Sequence, residues 1–193
     1  MNAALRLSWY KFKHHYMDFV KVLLGIVAFE GLILYIQDKG FLKDFETTRM
    51  TLFLLLFSTS LLIVVQNSIY ISKERSVLNR DFFSGLSRSA FALASMGIHA
   101  FFAVLETIVF ILSYSVFSKF FDKEFPDAGH IFGSYRWEVG ITVLLVFLAS
   151  HFIALFISAL VGKSEITSVI LAVVVGIMQF SLSGTIPVSY THL

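Results

Sequence analysis

Five long apolar stretches constrain the fold of this 193-residue chain more than any other feature of its sequence. A bilayer core about 30 Å thick requires on the order of 20 apolar residues for one membrane-spanning helix. Each stretch reaches or approaches that length, and none holds more than two Asp, Glu, Lys or Arg residues. We therefore predict an all-α, polytopic membrane helix bundle with five transmembrane helices in a single domain of residues 1–188. The predicted spans are about residues 19–36, 52–71, 90–117, 139–161 and 166–186.

The composition excludes several other classes of protein. Hydrophobic residues make up 57% of the chain and charged residues 15%, whereas a soluble domain carries about 25% charged residues. The chain has no cysteine, which excludes a disulfide scaffold, a thiolate metal site and a cysteine nucleophile. A net charge of +2 is too small to indicate a nucleic-acid partner, so the predicted environment is the lipid bilayer.

Residues 5–19, ahead of the first span, have the pattern of an amphipathic helix. Apolar and aromatic residues recur at steps of three and four, which places them on one helical face. These residues are Leu5, Trp9, Phe12, Tyr16 and Phe19. Polar residues occupy the opposite face, which predicts a helix in the plane of the membrane headgroups. The alternative is a polar segment before the span whose aromatic side chains lie at the interface.

The distribution of Lys and Arg between the loops predicts the orientation of the chain. With the N-terminus in the cytoplasm, eight of these residues lie inside and six lie outside. This excess predicts a multi-pass protein of the cell membrane with a cytoplasmic N-terminus. It also places the loop at residues 72–89 in the cytoplasm.

The loop between the second and third spans concentrates charge around two adjacent aromatic residues. It runs KERSVLNRDFFSG from residue 73 to residue 85. We predict a short helix with Phe82 and Phe83 exposed, followed by a turn that Gly85 permits. Exposed aromatic residues beside charges are typical of protein docking sites. A solvated loop whose two Phe side chains dip into the membrane interface explains the pattern equally well.

The order of these features resembles the membrane domain of type-2 ATP-binding cassette (ABC) exporters, especially the pigment and multidrug (G) subfamily and its bacterial relatives. An in-plane helix ending at Asp18 leads into the first span. The KER…NRDFFSG…SR segment stands where the family has its Glu-Arg, Arg-acid and Gly-x-x-Arg pattern. Tyr114 closes the third span, and FISALVGKSEITSVILAVVVGIMQFSLSGTIP joins the last two. The similarity extends from about Leu5 to Pro187.

The resemblance implies that the chain is the permease subunit of an ATP-driven exporter and forms half of a substrate pathway. A second membrane domain, identical or different, would complete that pathway. A separate or fused nucleotide-binding domain would bind ATP and Mg, so this chain would bind no cofactor and catalyse no reaction by itself. The charged loop would seat in that domain as a coupling helix. The residues implied in coupling are Glu74, Arg75, Arg80, Asp81, Phe82, Phe83, Gly85 and Arg88.

The chain departs from the family pattern in two places. The family has a sixth span, whereas this sequence stops just past Pro187, and residues 189–193 do not look like the expected continuation. We therefore expect a C-terminally truncated fragment whose tail looks like adapter or vector sequence. The family's acid-x-Pro at the start of the third span is also missing, because residues 99–102 contain no proline.

No catalytic site is recognisable in the chain itself. Residues 162–164 read Gly-Lys-Ser, but Ile157 stands where a phosphate loop needs its first glycine. The predicted spans contain the ionisable residues His99, Glu106 and His151, which are candidates for a metal site or a proton relay. No metal-binding spacing supports the first of these, so we predict no metal site. Hydrogen bonds to neighbouring helices explain the three residues as well.

Polar residues within the spans are also candidates for lining a pathway or for holding helices together. These candidates are Glu106, Gln179, Ser181 and Gly184. Two other classes of function compete with transport. One is a structural or assembly subunit that moves no substrate, and the less favoured one is an intramembrane enzyme.

Overall fold

A computed structural model of the chain describes residues 9–10, 13, 16–37, 43, 45–123, 131, 133–162 and 164–182. The described part is helical and contains no strand, which confirms the all-α prediction. Its six helices are α1 (Tyr16–Ile36), α2 (Phe45–Asn67), α3 (Arg75–Phe83), α4 (Arg88–Phe120), α5 (Tyr135–Leu160) and α6 (Glu165–Leu182).

Five of these helices are long and apolar enough to cross a membrane, as predicted, and α3 is the exception. α4 has 33 residues, which at 1.5 Å per residue gives about 50 Å. Because this exceeds the thickness of the hydrocarbon core, α4 extends beyond the bilayer or tilts within it. α2 ends at Asn67, earlier than the predicted limit at residue 71. Residues 68–74 form turns instead, and Ser158 of α5 accepts hydrogen bonds from their backbone.

The centre of the molecule is a ring of four helices in the order α1, α2, α5 and α4, each packed on the next. Apolar side chains from all four fill its middle. They are Val22, Ile26, Ile63, Ala103, Phe110, Val143 and Phe147. Phe110 and Phe147 meet edge to face, with ring centroids 5.8 Å apart, a favourable arrangement for buried aromatic rings. The ring therefore has a core of its own before α6 is added.

α6 packs on the outside of the ring, mainly against α2. Small residues at steps of four form its buried face, namely Ser168, Ala172 and Gly176. A Cβ atom at Gly176 would overlap the side chain of Leu61 on α2, so glycine permits the close approach of the two helices. Most other apolar residues of α6 are exposed. This helix therefore presents a broad apolar face to lipid or to a partner.

Lys123 attaches the end of α4 to the end of α1. Its ammonium donates hydrogen bonds to the carbonyls of Leu34 and Gln37, and the residue is only 6% exposed. A cation at a helix C-terminus compensates both the unpaired carbonyls and the helix dipole. The Tyr114 hydroxyl donates to the carbonyl of Lys123, with an O–O distance of 3.2 Å. This contact closes one end of the ring.

The predicted in-plane helix is described only in part. Residues 1–8, 11–12 and 14–15 lie outside the described residues, as do Gly184 and the tail 189–193. Residues 16–19 form the first turn of α1, so α1 begins three residues before the predicted span. Asp18 in that turn pairs with Lys21 at 2.9 Å and approaches Lys73 at 3.9 Å. Asp18 therefore belongs to the beginning of the first span.

Candidate functional site

α3 is a short amphipathic helix that lies between the ends of α2 and α4. Its apolar anchor is Leu78, which is 1% exposed. After the helix, Gly85 adopts a φ of +103°, a backbone conformation that residues with a side chain rarely adopt. Ser87 then caps α4, because its hydroxyl accepts a hydrogen bond from the backbone N–H of Ala90. The sequence of anchor, turn and cap fixes α3 against the beginning of α4.

The two adjacent phenylalanines of α3 have different environments, in contrast to the predicted exposed pair. Phe83 is 93% exposed. Phe82 is half-buried and packs edge to face on Phe91 of α4, with centroids 5.8 Å apart. The guanidinium carbon of Arg88 lies 5.7 Å from the centre of the Phe82 ring, in a cation–π contact. Consecutive residues of a helix point about 100° apart, which lets Phe83 face outward while Phe82 packs against α4.

Hydrogen bonds connect the beginning of α3 to the end of α5. Nη1 of Arg75 donates to the carbonyl of Ala159 at 2.8 Å and to that of Val161 at 3.4 Å. The hydroxyl of Ser158 accepts from the backbone N–H groups of Ile71 and Ser72 at 2.8 and 3.1 Å. Arg75 therefore caps α5 while belonging to α3. A displacement of α3 would pull directly on α5.

The remaining charged residues of the predicted coupling set lie on the surface of α3 or at its start. Glu74 is the N-cap residue of α3, without a side-chain capping bond. Nε of Arg80 lies 3.7 Å from Oδ1 of Asp81, and the Arg80 side chain is 76% exposed. An exposed ion pair of this kind contributes little to stability. These charges lie beside the exposed Phe83, where a partner protein could contact them.

Glu106, His151 and His99 form a hydrogen-bonded chain inside the bundle, where α4 meets α5. Nε2 of His151 lies 2.8 Å from Oε2 of Glu106, and the Nδ1 atoms of His151 and His99 lie 3.0 Å apart. All three residues are 0% exposed. The ring of Tyr70 packs edge to face against His99, with centroids 4.7 Å apart. The three predicted intramembrane residues are therefore in one contact chain.

The chemistry of these contacts allows three consistent arrangements of the protons. With Glu106 ionised and His151 neutral, His151 donates to the carboxylate and His99 donates to His151. With Glu106 protonated, both of these hydrogen bonds run the other way, and with Glu106 ionised and His151 protonated, His151 donates to both neighbours. His151 uses its two ring nitrogens for two different partners, so the groups lie in a line and do not converge. Among the described residues, no group of three or more His, Asp or Glu side chains is arranged to hold a metal ion.

A second buried carboxylate joins α1 to α4. The hydroxyl of Ser113 donates to Oε2 of Glu30, and its oxygen also lies 2.8 Å from the carbonyl oxygen of Val109 in its own helix. Glu30 is 0% exposed. A buried carboxylate that bonds a neighbouring helix is typical of helix contacts within membranes. Polar residues of the ring helices thus serve contacts within the chain.

The polar residues near the end of α6 are placed differently. Gln179 and Ser181 are exposed, and the Ser181 hydroxyl bonds only its own helix, at the carbonyl of Ile177, among the described contacts. Gly184 lies outside the described residues. On sequence alone, Glu106, Gln179 and Ser181 form one group of candidates. In the structure, Glu106 is buried in a helix contact, whereas Gln179 and Ser181 lie on an exposed surface of α6.

Several residues that organise the site were not identified from the sequence. Ser158 is one of many hydroxyl residues in the apolar spans, and Lys123 lies in a loop between two predicted spans. His151 itself is recognisable from the sequence, because it is the only ionisable residue of its predicted span. Its contact with Glu106 depends on how two helices pack, which the spacing along one helix does not encode.

Comparison with known families gives one match. The family model described as ABC-2 type transporter matches residues 6–191 of the chain. No curated protein and no solved structure matched the chain significantly. The match covers nearly the whole sequence, including α3 and all five membrane-length helices. The chain therefore belongs to the ABC-2 type transporter family, as a multi-pass membrane component of a transporter.

Proposed function

We propose that this chain is the permease subunit of an ATP-driven exporter and forms half of its substrate pathway. ATP and Mg bind in a nucleotide-binding domain on a partner or fused chain, and this chain carries no catalytic site. Family membership supports a nucleotide-binding partner. The observation that carries the proposal is α3, which exposes Phe83 almost fully while Arg75 holds it to α5. A helix that is exposed to a partner on one side and bonded to a membrane helix on the other can transmit the partner's movement to the bundle.

In this mechanism α3 is the coupling helix. The exposed Phe83 inserts into the nucleotide-binding domain, and Arg80, Asp81 and Glu74 contact its rim. Arg75 and the turn around Ser72 transmit movement to α5 through Ala159 and Ser158. Movement of α3 reaches α4 through Phe82, Gly85 and Arg88.

The contact chain between α4 and α5 makes these two helices move together. Glu106 and His151 join them by a buried hydrogen bond, so a displacement that enters at α3 turns both as one rigid body. We assign Glu106 to this helix contact rather than to the pathway. Its burial supports that choice.

We assign the pathway side to the outer part of α6. Gln179 and Ser181 are exposed there, on the membrane-length helix with the smallest buried share among the described residues. Gly184, two residues past α6, continues this segment. A second membrane domain, identical or different, faces these residues and completes the pathway. The N-terminus and α3 are on the cytoplasmic side, as the excess of Lys and Arg predicts.

The test is a charge at the tip of the coupling helix. We expect Phe83→Glu to abolish ATP hydrolysis coupled to transport and to reduce co-purification of the nucleotide-binding partner. Phe120→Glu is the matched control, because Phe120 is 81% exposed at the far end of α4. It should leave both properties unchanged.

The competing functions give different results. A structural subunit would lose its partner after Phe83→Glu without any transport to lose. An intramembrane enzyme would lose its activity after Glu106→Gln while partner binding stays normal. Full coupling in the Phe83→Glu variant would contradict the proposed role of α3.

A further inference from the structure

A cavity of about 500 Å³ lies between α3, α4 and α5. Its size falls in the range of about 300–1,000 Å³ that is typical of small-molecule sites. Apolar side chains form most of its wall, among them Leu78, Phe91, Met96, Phe152 and Phe156. An apolar lining of this extent suits a hydrocarbon chain.

The charged and amide residues of the cavity gather at one end. Arg75 and Asn79 come from α3, and Arg88 is the first residue of α4. Met96 lies eight residues further along α4, which corresponds to about 12 Å at 1.5 Å per residue. The cavity therefore runs from a cationic end to an apolar end along a membrane-length helix. That gradient matches a lipid molecule in a bilayer.

The cationic end is not neutralised within the described part of the chain. No acidic residue of that part lines the cavity, and neither Arg75 nor Arg88 forms an ion pair there. Arg75 uses Nη1 for the carbonyls of α5, and a guanidinium has further N–H donors. Two guanidinium groups at the mouth of a cavity are suited to a phosphate group.

We propose that this cavity binds one anionic phospholipid. Its phosphate contacts Arg75 and Arg88, and one acyl chain lies along Phe152 and Phe156. The lipid enters from the leaflet at the α3 end of the bundle. Only the assignment of that leaflet to the cytoplasmic side rests on the proposed function. A bound lipid would link α3 to α4 and α5 at the point where force is transmitted.

The test is native mass spectrometry of the purified full chain. The chain is released from mixed micelles that contain equal amounts of dioleoyl phosphatidylglycerol and dioleoyl phosphatidylcholine. We expect one phosphatidylglycerol to be retained, in preference over phosphatidylcholine. Arg88→Gln should lower this retention about tenfold, because it removes a charge-assisted hydrogen bond. Ala92→Trp should abolish it, because Ala92 lines the cavity and the indole would fill it.

Matched variants separate local from general effects. Arg80→Gln removes the same charge from α3 at an exposed position outside the cavity. Leu93→Trp adds an indole next to Ala92, at a 65% exposed residue outside the cavity. Both should retain phosphatidylglycerol at the wild-type level, and size-exclusion chromatography should show all four variants to be monodisperse.

Three results would overturn the proposal. They are equal retention of the two lipids, wild-type retention in Ala92→Trp, and equal loss in Leu93→Trp. The measurement uses the chain without a nucleotide-binding partner, so a failure of the coupling proposal leaves its outcome unchanged. If a partner's side chain or the transported substrate fills the cavity instead, the purified chain will show no preference for phosphatidylglycerol.

Discussion

The α4–α5 contact and the α2–α6 contact depend on different kinds of side chain. Buried polar groups join α4 to α5, through Glu106, His151 and His99. α6 lies on α2 through small residues and an aromatic cluster in which Phe180 contacts Phe53 and Phe57 at 5.7 and 5.2 Å. Hydrogen bonds join the first pair in the middle of the bundle, whereas α6 has a buried hydrogen bond near its beginning, from Ser168 to Ser72 at 3.1 Å, and otherwise packs through small and aromatic residues. The comparison indicates an α4–α5 body that carries α3, and an α6 that is held at Ser168 and packs by shape along the rest of its length.

The largest expected effect follows from Glu106→Leu. This change leaves Nε2 of buried His151 without its Glu106 partner, which costs about 1–3 kcal/mol in the free energy of unfolding. Glu106→Gln keeps a hydrogen-bonding group and should lose less than half of that. Thermal unfolding in detergent measures both variants. Equal stability of the Leu variant and the wild type would show that the polar chain does not hold α4 to α5.

The next largest effect should follow from Gly176→Leu. A side chain there overlaps Leu61, so we expect about 1–2 kcal/mol of destabilisation and a wider separation of α6 from α2. Gly97→Leu is the control, since a Cβ at Gly97 meets nothing within 4 Å. Distances between spin labels on the two helices test the separation. An unchanged distance would mean that the glycine is not required for this packing.

A smaller effect is expected for Arg75→Gln. The change weakens the bonds to Ala159 and Val161, at a cost of about 1 kcal/mol. Amide hydrogen exchange should become faster in α3 and in the last turn of α5. Arg80→Gln, on the exposed side of α3, should leave the exchange unchanged. If the two variants behave alike, α3 is not fixed to α5 through Arg75.

The smallest effect on stability is expected for Gln179→Ala. Gln179 is exposed, so the change in the free energy of unfolding should stay below about 0.5 kcal/mol. Its effect should instead appear in transport or in pairing with a second membrane domain. A stability loss comparable to that of Glu106→Leu would remove the distinction between the two contacts.

The sequence predicted the helices well because length and apolarity determine them directly. It could not predict which apolar faces pack together, since lipid and protein interior have the same polarity. The end of α2 was misplaced for a related reason. Tyr70 and Ile71 are apolar enough to continue a span, but the backbone there turns and bonds Ser158.

The candidate site was predictable as a segment and not as individual contacts. Charge and aromatic residues marked α3, whereas the different exposure of Phe82 and Phe83 depends on the position of Phe91 in another helix. Glu106 and His151 were recognisable as costly intramembrane groups. Their pairing required the packing of α4 on α5, and the function of Lys123 required the end of α1.

The most direct test of the account uses single cysteines, because the chain has none of its own. Arg80→Cys marks the exposed side of α3, and Phe120→Cys marks the opposite end of α4. A membrane-impermeant maleimide is applied to intact cells and, separately, to permeabilised cells. The account predicts that Phe120→Cys reacts in intact cells and that Arg80→Cys reacts only after permeabilisation. Reaction of Arg80→Cys in intact cells would place α3 beyond the reach of any cytoplasmic ATPase and contradict its role as the coupling helix.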